Sequence, residues 1–156
     1  IALARALAPK PSLLLMDEPF SSLDFGLREQ LAREVGHILR NENISALLVT
    51  HDQNEEFAMG DNICILNKGR VQQDDTPYNI YHNPTNQFVA RFIGDGVLIP
   101  GVINSLKSIL TSFGEIDAIL SESFKINDKV AILVRPENVI LDKYSKSNRT
   151  YPLVRI

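Results

Sequence analysis

The stretch Leu13–Asp24, "LLLMDEPFSSLD", sets two acids, Asp17 and Glu18, directly after four apolar residues and directly before Pro19. A carboxylate at the edge of a buried segment is costly unless its charge is used. The continuous apolar run "SLLLM" predicts a short strand buried on both faces. At the carboxyl end of a parallel strand, side chains face the crevice where α/β proteins bind ligands. An Asp placed there can hold Mg2+ through oxygen ligation, and a neighbouring Glu can orient and polarise a water for attack on a phosphoryl group. An acid pair that merely caps the following turn satisfies this stretch equally well.

The flanking segments extend the pattern. Residues 24 to 40 carry Leu27, Leu31, Val35 and Ile38 at helical spacing, with Arg28, Glu29, Arg33 and Glu34 on other faces. This predicts an amphipathic helix packed on a sheet, its charged face from Arg28 to Arg40 solvated and supported by i, i+4 pairs. "ISALLVT", residues 44 to 50, predicts a second buried strand, and the order strand, helix, strand argues for a parallel α/β sheet with a right-handed crossover. The second strand ends in "LLVTHD", which delivers His51 to the same sheet edge as Asp17 and Glu18 and makes it a candidate phosphate contact. "SSLD", Ser21 to Asp24, satisfies ordinary turn and helix-cap chemistry.

Further along, a helix is expected from about Gln53 to Met59, then a hairpin turning at Lys68 and Gly69. Two helical pieces follow between residues 77 and 93, separated by Pro84. Beyond Gly94 the helical period is lost. Short β-like runs at Val97–Ile103, Ser108–Leu120 and Val130–Leu141 predict a second, all-β module, and "DKYSKSNRTY" reads as a polar loop. "IALARALA" reads as the interior of a helix stopped by Pro9 and Pro11. Because Ile1 is not an initiator methionine and "YPLVRI" stops within a strand-like run, both ends read as cut and the chain as a fragment.

With 44% apolar and 22% charged residues, the composition is that of a globular protein. No apolar run approaches the roughly 20 residues that a membrane-spanning helix needs. A net charge of -3 with interleaved signs gives no clustered basic face, so nucleic acid is not an expected partner. The single cysteine, Cys64, excludes an internal disulfide and is expected as a buried strand thiol. His37 and His82 lack a second ligand at metal spacing and are expected at the surface, and Tyr78 and Tyr81 are expected to pack a short helix.

Three motifs in order, "LLLMDEPFSSLD", "LLVTHDQ" and "GRVQQDDTPYNIYHNPTNQFVARFIG", resemble the second half of an ABC transporter ATPase subunit. "VAILVRPENVIL" resembles the "RPE" segment of the TOBE domain that some importer ATPases carry at their C-terminus, such as those for maltose, polyamines and ferric iron. The resemblance implies an α/β fold: residues 1–93 as the C-terminal portion of a P-loop (ABC) nucleotide-binding domain, and 94–156 as a partial, OB-like TOBE module. It implies that Asp17 holds the Mg2+ of MgATP as the Walker B aspartate, and that Glu18 is the general base. His51 would be the switch histidine that contacts the γ-phosphate, while Ser22 and Asp24 belong to the D-loop that faces a second ATPase subunit across a dimer. "IALARALAPKP" resembles the helix after the ABC signature, with Arg5 in its usual place.

Departures from the family pattern are local, with one exception. The chain has "HDQNEE" where the family usually continues "HDQEEA", and Asn54 and Glu56 are expected on an exposed helix face. Asn62 replaces a usual Arg, and Asp75 replaces a glycine whose turn it must then accept. The exception is that no G-x-x-x-x-G-K-[ST] loop and no "LSGGQ" occur, so the amides and lysine that cradle phosphates are absent from these 156 residues.

The expected function is therefore the ATP-hydrolysing subunit of an import system, peripheral to the cytoplasmic face of the inner membrane. It would work with transmembrane permease subunits and, indirectly, with a periplasmic or surface substrate-binding protein. "FIGDGVLIPG" inclines the cargo toward ferric iron. The alternatives are a non-transport ABC ATPase, or a regulatory or dimerisation piece that is catalytically silent by itself.

Overall fold

The computed structural model describes residues 2–118, 120, 124–139 and 153–155, and these gather into two compact units, 1–63 and 64–156. Ile119, Ile140, Leu141 and the expected polar loop at 142–151 lie outside the described residues.

The first unit runs α1 (Ala2–Leu7), β1 (Leu13–Asp17), α2 (Phe25–Asn41), β2 (Ser45–Val49), α3 (Gln53–Met59). β1 and β2 pair in parallel, Leu13 opposite Ser45 through to Asp17 opposite Val49, with α2 as the crossover between them. Leu14, Met16 and Phe20 pack against Ala32, Val35 and Leu39 of α2 to form the core.

Two expectations are corrected here. β1 is not buried on both faces: its residues alternate exposed and buried, and Leu13, Leu15, Leu47 and Val49 are each more than half exposed. A single helical layer covers one side of the strand pair, and period-2 alternation sends every other side chain to the opposite side. The buried stripe of α2 keeps the helical period but is rotated, comprising Ala32, Val35, Gly36 and Leu39, while Leu27 and Ile38 are 46% and 44% exposed. Small residues at 32 and 36 allow close packing, so the stripe follows fit rather than hydrophobicity alone.

The second unit opens with the hairpin β3 (Ile63–Asn67) and β4 (Arg70–Asp75). Lys68 (φ 49°) and Gly69 (φ 73°) are both left-handed, as a tight two-residue hairpin turn requires. Cys64 is exposed, not buried, because β3 alternates and the buried positions fall on Ile63 and Ile65.

The short helices α4 (Pro77–His82) and α5 (Gln87–Phe92) follow, each capped by a side chain, Thr76 to the amide of Asn79 and Asn86 to that of Val89. Asp75 needs no glycine-like backbone: its Oδ1 accepts from the Thr76 amide at 2.7 Å and from Asn79 Nδ2 at 2.8 Å, so the side chain makes the turn. Tyr78 does not pack a core; it is 68% exposed and lies against the His82 ring at 4.3 Å.

Strands β5 (Val97–Ser105), β6 (Ser108–Thr111), β7 (Gly114–Asp117), β8 (Lys129–Val134) and β9 (Leu153–Arg155) form an antiparallel sheet of order β7-β6-β5-β8-β9. Ile103, Ile109, Val130 and Ile132 form its core. β8 is buried on both faces, because Leu133 packs against Ala90 of α5 on the other side.

After β8 the chain bends into a 3-10 turn at Pro136–Asn138. The buried Arg135 guanidinium there donates to the carbonyls of Ile93, Asp95 (3.1 Å) and Tyr81 (3.3 Å) and lies over the Tyr81 ring at 4.3 Å. The ring's hydroxyl donates to Glu137 at 2.6 Å. A fork of donors thus fastens the ends of α4 and α5 to the sheet, with the positive charge at helix carboxyl ends where it is favoured.

Candidate functional site

Parallel pairing of β1 with β2 puts their carboxyl ends side by side. The Glu18 amide donates to the Val49 carbonyl at 2.8 Å, which carries the pairing one residue past β1. Glu18 then turns in the left-handed region, φ 43°, a conformation that costs a residue with a Cβ about 1–2 kcal/mol. Its carbonyl takes two bonds from Ser21, from the amide at 3.2 Å and from Oγ at 2.9 Å, which hold that turn. Strain of this kind concentrates where a side chain must be aimed. Here it aims the Glu18 carboxylate at His51, whose Nδ1 lies 3.0 Å from Glu18 Oε1.

The two groups keep access to solvent, with side-chain exposures of 49% for Glu18 and 69% for His51. A carboxylate can only accept, so Nδ1 carries the proton in this contact, and Nε2 donates as well only in the imidazolium form. Asp17, one residue earlier, ends β1 opposite Val49 and is exposed. Ser22 and Asp24 are exposed on the following loop. Asp24 begins α2 with its carbonyl, which accepts from the Arg28 amide at 2.9 Å, but its side chain makes no cap bond. Glu18, His51 and Asp17 therefore share one sheet edge, and the loop with Ser22 and Asp24 leaves from it.

Sequence reasoning missed the layer beneath. Arg28 was expected on a solvated face, yet its side chain is only 20% exposed. Its Nη1 donates to Asp52 Oδ2 at 2.7 Å, and its Nη2 donates to the carbonyls of Ser21 (3.2 Å) and Leu23 (3.1 Å). Glu55, 1% exposed, lies 3.7 Å from Arg28 Nε. Asp52 also accepts from the Asn54 amide at 2.9 Å and so caps α3. Burial raises the Asp52 pKa, but the bonds from Arg28 and Asn54 outweigh it and hold the carboxyl below its ordinary range.

Glu56 behaves in the opposite way: burial first, then the charges of Asp52 and Glu55, push it up to about 7. The available signal was three acids within five residues, 52 to 56, which a folded chain must either neutralise or expose. The ion pair Arg33–Glu29 at 2.6 Å is the i, i+4 support that the spacing implied.

No cluster of three or more His, Cys, Asp or Glu ligands occurs among the described residues, and Mg2+ is commonly held by one or two carboxylates with its other positions on water and phosphate. Asp17 is exposed and has the hard oxygens this requires. His37 and His82 are both exposed. An open groove of about 620 Å³ lies elsewhere in the first unit, beneath Ile44 to Leu48 and beside Arg40, and does not include Asp17, Glu18 or His51.

No family model matches the chain. Among curated relatives, the spermidine/putrescine import ATP-binding protein PotA of Clostridium acetobutylicum is 42% identical over 139 residues, 89% of this chain and 39% of the relative. The protein of the same description from Oleidesulfovibrio alaskensis is 38% identical over 146 residues, 90% and 39%. That of the Onion yellows phytoplasma is 40% identical over 140 residues, 89% and 33%. The chain thus spans about two fifths or less of the length of the relatives it matches. Ferric iron finds no support among them: each of the three is described by spermidine/putrescine import, so ten residues around "FIGDGVLIPG" did not carry a cargo.

Proposed function

We propose that this chain, homologous over about nine tenths of its length to a segment of ABC import ATP-binding subunits, supplies the metal and water half of an ATP-hydrolysing site. The observation that carries the reading is the Glu18–His51 contact of 3.0 Å at the carboxyl edge of a parallel strand pair, with Asp17 beside it. Asp17 would hold Mg2+; the bound metal supplies charge neutralisation at the phosphates. Glu18 takes the proton of the attacking water. His51 orients Glu18 through Nδ1 and, in the imidazolium form, donates from Nε2 to an anion. Ser22 and Asp24, exposed and free of capping duty, face a second subunit. The phosphate-cradling half is not encoded in these residues.

We read residues 1–93 as the nucleotide-binding portion and 94–156 as a TOBE-like β module. Residues 64–93 fall in one compact unit with the β-sheet, where Arg135 bonds to Tyr81 and Ile93 and Leu133 packs on Ala90, and this is a matter of packing rather than of role. The whole subunit would energise uptake of a polyamine through separate permease subunits, supplied by a substrate-binding protein, from a peripheral position at the membrane. The relatives' description supports the polyamine; among the described residues no helix is long and apolar enough to cross a membrane.

The test is a chimera in which this chain replaces the matching segment of the Clostridium acetobutylicum protein. The chimera should hydrolyse ATP with magnesium, and Glu18→Gln should lower turnover by at least roughly a hundredfold while ATP still binds. The 156-residue chain alone should be inactive. Turnover by Glu18→Gln near the parent rate would remove Glu18 from the role of base.

A further inference from the structure

The Arg28 side chain bonds to both segments of the candidate site. Its Nη2 holds the carbonyls of Ser21 and Leu23, which flank Ser22, Leu23 being also the residue before Asp24, and its Nη1 holds the carboxylate of Asp52, the residue after His51. Glu18 is bound into the same loop through its carbonyl, which accepts from Ser21. The path from Glu18 to His51 is therefore closed twice, once by their direct contact and once beneath it through Ser21, Arg28 and Asp52.

The surroundings favour a fixed fork. Arg28 and Asp52 have side-chain exposures of 20% and 12%, and Glu55, at 2%, adds a second negative charge 3.7 Å from Arg28 Nε. A bond between charged groups is stronger than one between neutral groups, and at such exposure it is screened less by salt and water. The strained backbone at Glu18 needs such a constraint, since a loop free to relax would leave the left-handed region.

We propose that Arg28 is a positioning residue that locks the loop of Glu18, Ser22 and Asp24 to the segment of His51. A displacement of Ser22 or Asp24 by a partner subunit is thereby passed to His51 through one guanidinium. Lysine does not replace it: a single ammonium lacks the planar fork that reaches a carboxylate on one nitrogen and two carbonyls on another. The proposal rests on the functional reading of Glu18 and His51, but its geometry is testable without ATP.

Two measurements decide it. In the 156-residue chain, the ring nitrogen resonances of His51 report the Nδ1 bond to Glu18, with Glu18→Gln giving the reference for its loss. Arg28→Lys and, independently, Asp52→Asn should shift His51 toward that reference; Asn keeps an oxygen for the α3 cap, so one of the two variants remains informative if the other does not fold. In the chimera, Arg28→Lys should lower kcat by roughly tenfold to a hundredfold, the effect of a small misplacement, with KM for ATP within about threefold.

An unchanged His51 signature in both variants overturns the proposal. So does a loss of thermal stability with kcat intact, which would make Arg28 a fold residue only. A chimera that never hydrolyses ATP removes the functional reading, while the His51 measurement still settles whether Arg28 positions the histidine.

Discussion

At the scale of single residues, the site consists of polar groups whose properties follow from how far each is buried and what it faces. Glu56 shows this most clearly, since burial and the neighbouring Asp52 and Glu55 raise it to about 7 from an ordinary 4.5. The folded state then holds a proton that the unfolded chain releases between pH 4.5 and 7, so this group makes stability fall as pH rises through that window. The full shift corresponds to about 3 kcal/mol, but a half-buried carboxyl is screened by solvent, and about 1–2 kcal/mol is the expected size. Asp52 has the opposite sign, contributing stability that is present above its ordinary pKa and lost as pH falls. Denaturant titrations of the parent and of Glu56→Gln at pH 5 and pH 8 separate them. The variant should be more stable than the parent at pH 8 and similar to it at pH 5; an equal difference at both pH values would show that Glu56 titrates normally.

At the scale of elements, the β-sheet depends on close approaches that composition does not reveal. Gly101 of β5 sits between Thr111 of β6 and Val130 of β8, and a Cβ there would come within 2.6 Å of Ile109 Cγ2 and 3.1 Å of the Leu110 carbonyl. Ile109 is fully buried, so it has no room to withdraw. Gly101→Ala should destabilise the protein by about 1–3 kcal/mol, the usual effect of overpacking a tight interior. Gly114→Ala, in a turn with nothing near its Cβ but with φ 115°, should cost through backbone strain alone. Chemical denaturation of Gly101→Ala, with and without Ile109→Val, tests the mechanism: the second change removes a methyl from the clashing side chain and should recover part of the loss.

At the scale of the whole molecule, one face of the parallel strand pair leaves large apolar side chains open. Leu13, Leu15, Leu47 and Val49 occupy one face of the β1–β2 pair at 53%, 68%, 59% and 56% exposure. Contiguous apolar faces of this kind drive association, and edge strands such as β7, which pairs only with β6 among the described residues, add backbone groups that accept a partner. The purified chain should therefore self-associate as its concentration rises. Leu15 and Leu47 are opposite each other in register, so Leu15→Glu with Leu47→Lys places a favourable charge pair on that face. The double variant should remain smaller in sedimentation than the parent; identical sedimentation at all concentrations would show that this face is not the contact.

The local pattern of the sequence determined the kinds of elements and the identities at the sheet edge. "LLLMDE" and "LLVTHD" have apolar runs that end in polar groups, and any parallel pairing of two such strands brings Glu18 and His51 together. The turn at Lys68–Gly69 was legible for the same reason, because turn chemistry is fixed by neighbours a few residues away. Tertiary structure decided what depended on residues distant in sequence. It turned α2 onto Ala32 and Gly36, left one face of β1 exposed, and placed Cys64 outward on its hairpin. It also brought Arg28 to Asp52 across 24 positions and Arg135 to Ile93 across 42, burying two arginines whose sequence context marked one as surface and the other only as part of a motif. Burial is a sum over partners from the entire chain, and a charge is drawn inward only where enough distant oxygens converge on it, which no local window of sequence contains.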